Sequence, residues 1–226
     1  MKSLISRVRF SDAPWASKTS KNDVLIGGSG GIGSWTALAL SRAGYPVTIY
    51  DMDVFNDVNL AGQFCTKYAV HEPKVNHIKT LVEQFNEKAI ILAKNEEYTE
   101  SSKAYPISIA GFDNMEARKI MFENWLKLPK KQRVAFIDGR LTAEFFEVFC
   151  VRTEQDIKNY QEEHLFPSSE ANELPCTFKS TSHNAMGIAY LITGLVNNIL
   201  VTDNVLRETN FHTRFDIGIM MFEVIP

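Results

Sequence analysis

Short aliphatic runs, ended by glycine or an acid, alternate along this chain with longer stretches of helical spacing. Residues 23–27 (Asp-Val-Leu-Ile-Gly) read as a buried strand. A glycine-rich turn follows at 28–34, then helical spacing over 35–43 with Gly44 as the stop. Residues 46–50 form a second strand ending at Asp51, which completes one strand-helix-strand unit. The spacing predicts a polar, partly helical crossing over 56–68. It then predicts a helix over 73–87, with Val75, Ile78, Leu81, Val82 and Phe85 on one face. Further strands are predicted at 88–93, 105–110, 133–138 and 143–151. Asn114 is placed to cap a helix over 115–128, and an amphipathic helix covers 153–164. A Ser-, Glu- and Pro-rich loop over 167–175 precedes a long apolar helix over 183–201, and strands over 214–225 close the chain.

This alternation predicts an α/β, Rossmann-like fold with helices on both faces of the sheet. The sheet is expected to be mostly parallel in its N-terminal part and to continue into mixed or antiparallel strands. No linker or repeat divides the chain, so residues 1–22 read as a polar, basic N-terminal arm and 23–226 as a single domain.

Composition narrows the picture little. The 226 residues carry 24 Lys plus Arg against 27 Asp plus Glu, a net charge of −3. That balance speaks against a general nucleic-acid binder, which shows a basic stripe. The three cysteines, Cys65, Cys150 and Cys176, are too few for a disulfide framework and lack the close pairs of a structural zinc site. The apolar stretch over 185–201 is broken by Thr193, Asn197 and Asn198, short of what a membrane helix needs. The expectation is a reduced, soluble, cytoplasmic protein. The five histidines, His71, His77, His164, His183 and His212, show no metal-binding spacing.

The chemistry is concentrated in the turn. Gly28, Gly30 and Gly33 have the G-x-G-x-x-G spacing between a strand and a helix, with Gly31 inside it. Such a turn lets backbone approach a ligand, and the helix start aims free N–H groups and a positive dipole end at phosphate. Asp51 stands where an acid commonly holds a ribose hydroxyl. The turn alone admits NAD, FAD, S-adenosylmethionine or ATP. It is not a Walker loop, since no Gly-Lys-Ser/Thr follows.

The residues beyond the turn discriminate further. Asp51-Met52-Asp53 is followed by Asn59-Leu60-Ala61-Gly62-Gln63, by Pro73-Lys74, and by Asp113-Asn114 with Arg118 four residues on. In this order and spacing the set resembles the ThiF/MoeB/HesA adenylyltransferases of the ubiquitin-activating-enzyme-like superfamily. The resemblance covers residues 23 to about 128 closely and continues more loosely to about 201. It implies an ATP-dependent adenylyltransferase. The C-terminal carboxylate of a ubiquitin-like or sulfur-carrier-like protein ending in Gly would attack the α-phosphate, releasing pyrophosphate. Both reactants are anionic, so cations and N–H donors must hold them in line.

The resemblance also implies roles. Gly30 and Gly31 would bring N–H groups to the phosphates. Asp51 would hold the ribose, and Asp53 would order the strand end and the nucleotide. Asn59 and Gln63 would bond phosphate or ribose oxygens, and Lys74 would pair with the phosphates. Asp113 would bind Mg²⁺ together with the phosphates. Taken singly, each residue has a plainer reading: Lys74 a solvated first-turn lysine, Asp113 a turn acid, Asn59 a turn residue, Asp53 a cap. Arg118 lies within a helix, where a salt bridge or a dimer contact competes with catalysis.

The sequence departs from the family pattern in two places. Gly62 stands where the family has Arg, so one bidentate phosphate donor is lost. Either activity is weakened or another arginine substitutes, Arg7 and Arg9 being candidates. The zinc-binding Cys pairs of many relatives are absent, so no structural zinc is expected. Cys176 could carry the acyl group as a thioester or persulfide, as in some relatives, or could simply pack. Relatives work as homodimers or as pseudo-dimers with an inactive partner half, so a homodimer is expected, with a heterodimer as the alternative. The rivals are a catalytically weak nucleotide-binding scaffold and an NAD-dependent oxidoreductase.

Overall fold

The computed structural model describes residues 10–167, 181–201 and 209–225. Eight strands form one sheet: β1 (Val24–Gly27), β2 (Val47–Tyr50), β3 (Ile91–Lys94), β4 (Ile107–Ala110), β5 (Ala135–Leu141), β6 (Phe145–Val151), β7 (His212–Asp216) and β8 (Met221–Ile225). Their spatial order is β3-β2-β1-β4-β5-β6-β7-β8. All pairs from β3 to β5 are parallel, and all pairs from β5 to β8 are antiparallel. The sheet is thus Rossmann-like with an antiparallel extension, as the sequence predicts.

Alternation along the central strands sorts their side chains to two cores. Val24 and Ile26 of β1, Ile107 and Ile109 of β4 and Ile137 of β5 face α1 (Gly31–Ala43), α2 (Lys74–Phe85) and α5 (Ser182–Ile199). Leu25, Ala110 and Phe136 face the other way, toward α3 (Met115–Leu126) and α4 (Glu154–Asn159). Both faces are covered, which is why these strands read as unbroken aliphatic runs. Truncating a fully buried residue here, such as Leu25→Ala, costs about 2–5 kcal/mol.

Local chemistry sets the helix ends. Gly44 stops α1 at φ 104°, and its N–H reaches the carbonyls of Leu40 and Ser41. Asn114 caps α3 by accepting from the Ala117 N–H at 2.8 Å. Thr153 and Asp156 form a reciprocal capping box for α4. The amphipathic helix predicted to reach 164 changes character at Tyr160, where a π-helical turn, Tyr160–His164, begins. Strand β5 runs to Leu141 rather than ending at 138, because the hairpin with β6 supplies antiparallel partners as far as Phe146. Part of the basic arm packs down: Thr19 is buried, and the Lys18 ammonium donates to the Leu200 carbonyl at 2.7 Å. Among the described residues no helix is long and apolar enough to cross a membrane.

Candidate nucleotide-binding site

The strand order reverses at β1, with β2 on one side and β4 on the other. Open α/β sheets bind ligands in the crevice beyond the carboxyl ends of the strands at such a point. The glycine turn lies there, and its glycines do different work. Gly28 has φ +84°, and a Cβ on it would sit 2.8 Å from the Gly111 carbonyl oxygen. A Cβ on Gly33 would sit 1.8 Å from the Gly28 carbonyl oxygen. These two positions exclude a side chain because backbone fills the space. Gly30 is different: its nearest neighbour would be the Gln63 side-chain nitrogen, 3.9 Å away. The space beside Gly30 is open, and α1 begins at Gly31 with no side chain capping its first N–H groups. An open space beside uncapped N–H donors suits a phosphate.

Gln63 borders that space. Its Oε1 is buried and has no hydrogen-bond partner within the chain, a condition that costs about 1–3 kcal/mol unless a ligand or water completes it. The segment carrying it is tied to α1 twice. The Trp35 indole N–H donates to the Gly62 carbonyl at 3.0 Å, and the Phe64 N–H donates to the Ser34 hydroxyl at 2.9 Å.

On the β2 side, Asp51 accepts from the Ser29 N–H at 2.7 Å and its hydroxyl at 2.9 Å through Oδ2. Its Oδ1 accepts from the Asp53 N–H at 2.8 Å. One carboxylate therefore fixes both the glycine turn and the strand end. Lys74, the first residue of α2, is 7% exposed. Its ammonium pairs with Asp53 Oδ2 at 2.9 Å, while its N–H donates to the Asp53 carbonyl. Lys74 is thus held in place by Asp53 and is not a solvated lysine. A cavity of about 460 Å³ opens beside Tyr50, lined also by Glu96, Thr99, Ser102 and Lys103. It lies next to Asp51 along the chain. A second cavity, of about 260 Å³ and lined by Arg133, Arg152 and Trp125, lies off the amino end of β5, far from these residues.

Asn59 is partly spent on local structure. Its Oδ1 accepts from the Asn56 N–H at 2.9 Å, closing the turn over Asp57–Ala61. Asp113 follows β4 and is exposed; its Oδ1 accepts from the Asn114 side-chain amide at 3.3 Å. Arg118, read from sequence with several fates open, is buried in a salt bridge with Asp138. Sequence reasoning passed over Asp138, Arg140 and Tyr160. Among the described residues no cluster of three or more His, Cys, Asp or Glu could hold a metal by itself. A single exposed carboxylate still fits Mg²⁺, which uses one or two carboxylates plus phosphate oxygens.

Cys176, Arg7 and Arg9 lie outside the described residues. Cys150 is buried, and burial pushes its thiol up to about 12. Cys65 is half-buried and is also raised, chiefly by desolvation. Neither suits a nucleophile.

The fold and the crevice together define a doubly wound α/β protein with a nucleotide-type glycine turn at its switch point. The chain belongs to the ThiF family, whose profile matches residues 5–204. Solved structures share the fold, among them those of two proteins. The structure of PaaA superposes with a TM-score of 0.71 at 15% identity, covering 93% of this chain and 65% of its own. E. coli MccB solved with MccA-N7isoASN gives 0.71 at 13% identity, with 94% and 66% covered. MccB solved with ATP gives 0.67 at 14% identity, with 94% and 65% covered. This chain therefore spans just under two thirds of those chains' length. No curated protein matches it by sequence.

Proposed function

We propose that this protein is an ATP-dependent adenylyltransferase that activates the C-terminal carboxylate of a protein or peptide as an acyl-adenylate. The observation that carries the reading is the open space beside Gly30, bordered by the uncapped start of α1 and by the side-chain amide of Gln63, whose nitrogen is the nearest atom and whose Oε1 has no partner within the chain. Family membership and the solved MccB structure with ATP support it.

The triphosphate would lie across the start of α1, with Gly30 and Gly31 N–H groups and the Lys74 ammonium on its oxygens. Asp51, already oriented by Ser29, would take the ribose, and Gln63 would complete its hydrogen bonding on the ligand. Asn59 has its amide nitrogen left to offer. The cavity beside Tyr50 would receive the base. The acceptor's carboxylate oxygen would form a bond to the α-phosphorus as the bond to the β-phosphate oxygen breaks. Pyrophosphate leaves with that electron pair, and no general base is needed because the nucleophile is already ionised. Asp113 would hold Mg²⁺, which when bound offsets charge on the departing pyrophosphate.

The finer substrate reading is a ubiquitin-like or sulfur-carrier-like partner ending in Gly, handled by a homodimer in which Cys176 could take up the acyl group. A second reading, a nucleotide-binding scaffold of low activity, draws on Gly62. Its carbonyl is engaged by Trp35, and it offers no guanidinium to the phosphates. Thermal unfolding with Mg·ATP, with NAD and with neither tests the site. A ligand at a hundred times its Kd stabilises by about 2.7 kcal/mol, or roughly 5–10 °C here. A shift with Mg·ATP that Lys74→Ala abolishes upholds the reading, and a shift with NAD alone overturns it. ATP–pyrophosphate exchange that appears only with an added protein bearing a free C-terminal Gly would separate enzyme from scaffold.

A further inference from the structure

Asp138 on β5 is fully buried and receives donors from three elements. The Arg118 guanidinium of α3 pairs with Oδ1. Arg140 Nε donates to Oδ2 at 2.9 Å, and the Tyr160 hydroxyl donates to the same oxygen at 2.8 Å. Beside Asp138, Tyr160 is held protonated: burial first, then the carboxylate's charge, raises its pKa well above the ordinary range. Burying two guanidinium groups and a carboxylate is costly, and a stable core does not require it. What the cluster holds explains its presence.

Arg118 does more than pair with Asp138. The same guanidinium donates to the Phe112 carbonyl and, at 2.9 Å, to the Gly139 carbonyl. Phe112 immediately precedes Asp113. Its ring fills the place where a Gly27 Cβ would be, 2.2 Å from that point, beneath the glycine turn. Arg118 therefore fixes the backbone that presents Asp113, and Asp138 fixes Arg118. The Tyr160 hydroxyl arrives from the π-helical turn Tyr160–His164, where the Leu165 N–H reaches back to the Tyr160 carbonyl at 3.1 Å. Arg140 binds the same turn through the His164 carbonyl at 2.7 Å.

We propose that Asp138 is a positioning residue for the nucleotide site, setting the Asp113 loop through Arg118 and being itself set by Tyr160. This inference rests on the adenylyltransferase reading above. Removing a group that orients a metal ligand typically costs about 10–100-fold in metal affinity. The test is the Mg²⁺ concentration giving half-maximal ATP binding, measured by calorimetry beside ATP binding in EDTA. The proteins are wild type, Asp113→Asn, Asp138→Asn and Tyr160→Phe. In the proposal Asp113→Asn and Asp138→Asn both raise the Mg²⁺ midpoint about tenfold or more. Tyr160→Phe raises it less, and neither Asp138→Asn nor Tyr160→Phe changes binding in EDTA. If Asp138→Asn fails to fold, Tyr160→Phe decides. A shift for Asp113→Asn with none for folded Asp138→Asn or Tyr160→Phe overturns this inference and spares the nucleotide site. So does equal weakening with and without Mg²⁺. No effect of Asp113→Asn itself removes Asp113 from the metal site, and the inference falls with it.

Discussion

Two carboxylate–cation groups lie close to the same sheet end, and they are built in opposite ways. Asp53 and Lys74 form one pair: the carboxylate is 56% exposed, and the lysine beside it is buried. Asp138 with Arg118, Arg140 and Tyr160 forms the other: its carboxylate is fully buried and every oxygen is occupied by the chain itself. The first is unfinished and can exchange partners with a ligand at small cost. The second is finished and would lose much by opening. Burial and residual bonding capacity, not residue type, separate a group that binds from a group that holds.

A large expected break in this contrast comes from Asp138→Ala. Leaving the buried Arg118 and the part-buried Arg140 without their shared carboxylate should cost about 3–5 kcal/mol, read as a fall of roughly 10 °C or more in the thermal midpoint. Glycine substitutions divide the cradle along the same line. Gly33→Ala, with its Cβ meeting a backbone carbonyl, should lose more than ~4 kcal/mol or fail to fold. Gly30→Ala, which meets nothing closer than 3.9 Å, should keep the wild-type midpoint to within about 1 kcal/mol and yet lose the Mg·ATP shift. A Gly30→Ala protein that binds Mg·ATP like wild type would place the phosphates elsewhere.

A smaller effect follows from His164. Its pKa is lowered first by desolvation and then by His212 and Arg140, with Glu147 and Glu163 acting in the opposite sense. The folded state thus favours the neutral ring, and that contribution is present above the unfolded value near 6.5 and lost as pH falls through the folded value. The midpoint should fall between pH 7 and pH 5, and His164→Asn should flatten the fall. An equal slope in both proteins would assign the acid sensitivity to other groups. Smallest of all, iodoacetamide should label Cys65 in the native protein while Cys150 stays protected, as mass spectrometry of the labelled peptides would report.

The first half of the fold was legible because its signals are local. A strand, a glycine turn and a helix announce themselves within about twenty residues, and the Asp51 contact to Ser29 follows from where β1 and β2 end. Lys74 was legible as a residue of interest, but its burial against Asp53 depends on the short bridge between Val54 and Pro73, which no periodicity shows. The Asp138 cluster was not legible. Arg118 and Tyr160 each lie about twenty residues from the Asp138–Arg140 pair, on a helix and a turn; the parallel register of β4 with β5 sets Asp138 beside the end of β4 from which α3 departs. The sequence pattern ends the fifth strand at Asp138, which leaves residues 139–141 outside it. They become strand because the hairpin to β6 supplies partners, and because the Asp138 and Arg140 charges neutralise each other inside.

Phe112 under Gly27 carries a consequence for how this site can change over generations. The ring and the missing side chain share one volume, and Gly28 and Gly111 meet backbone to backbone just above it. A larger residue at 27 is ruled out while Phe stands at 112, and a smaller residue at 112 would leave a void beneath the glycine turn. Substitutions at the two positions should therefore be tolerated mainly in pairs, so that a screen for suppressors of a damaged residue 27 would return changes at 112, eighty-five positions along the chain.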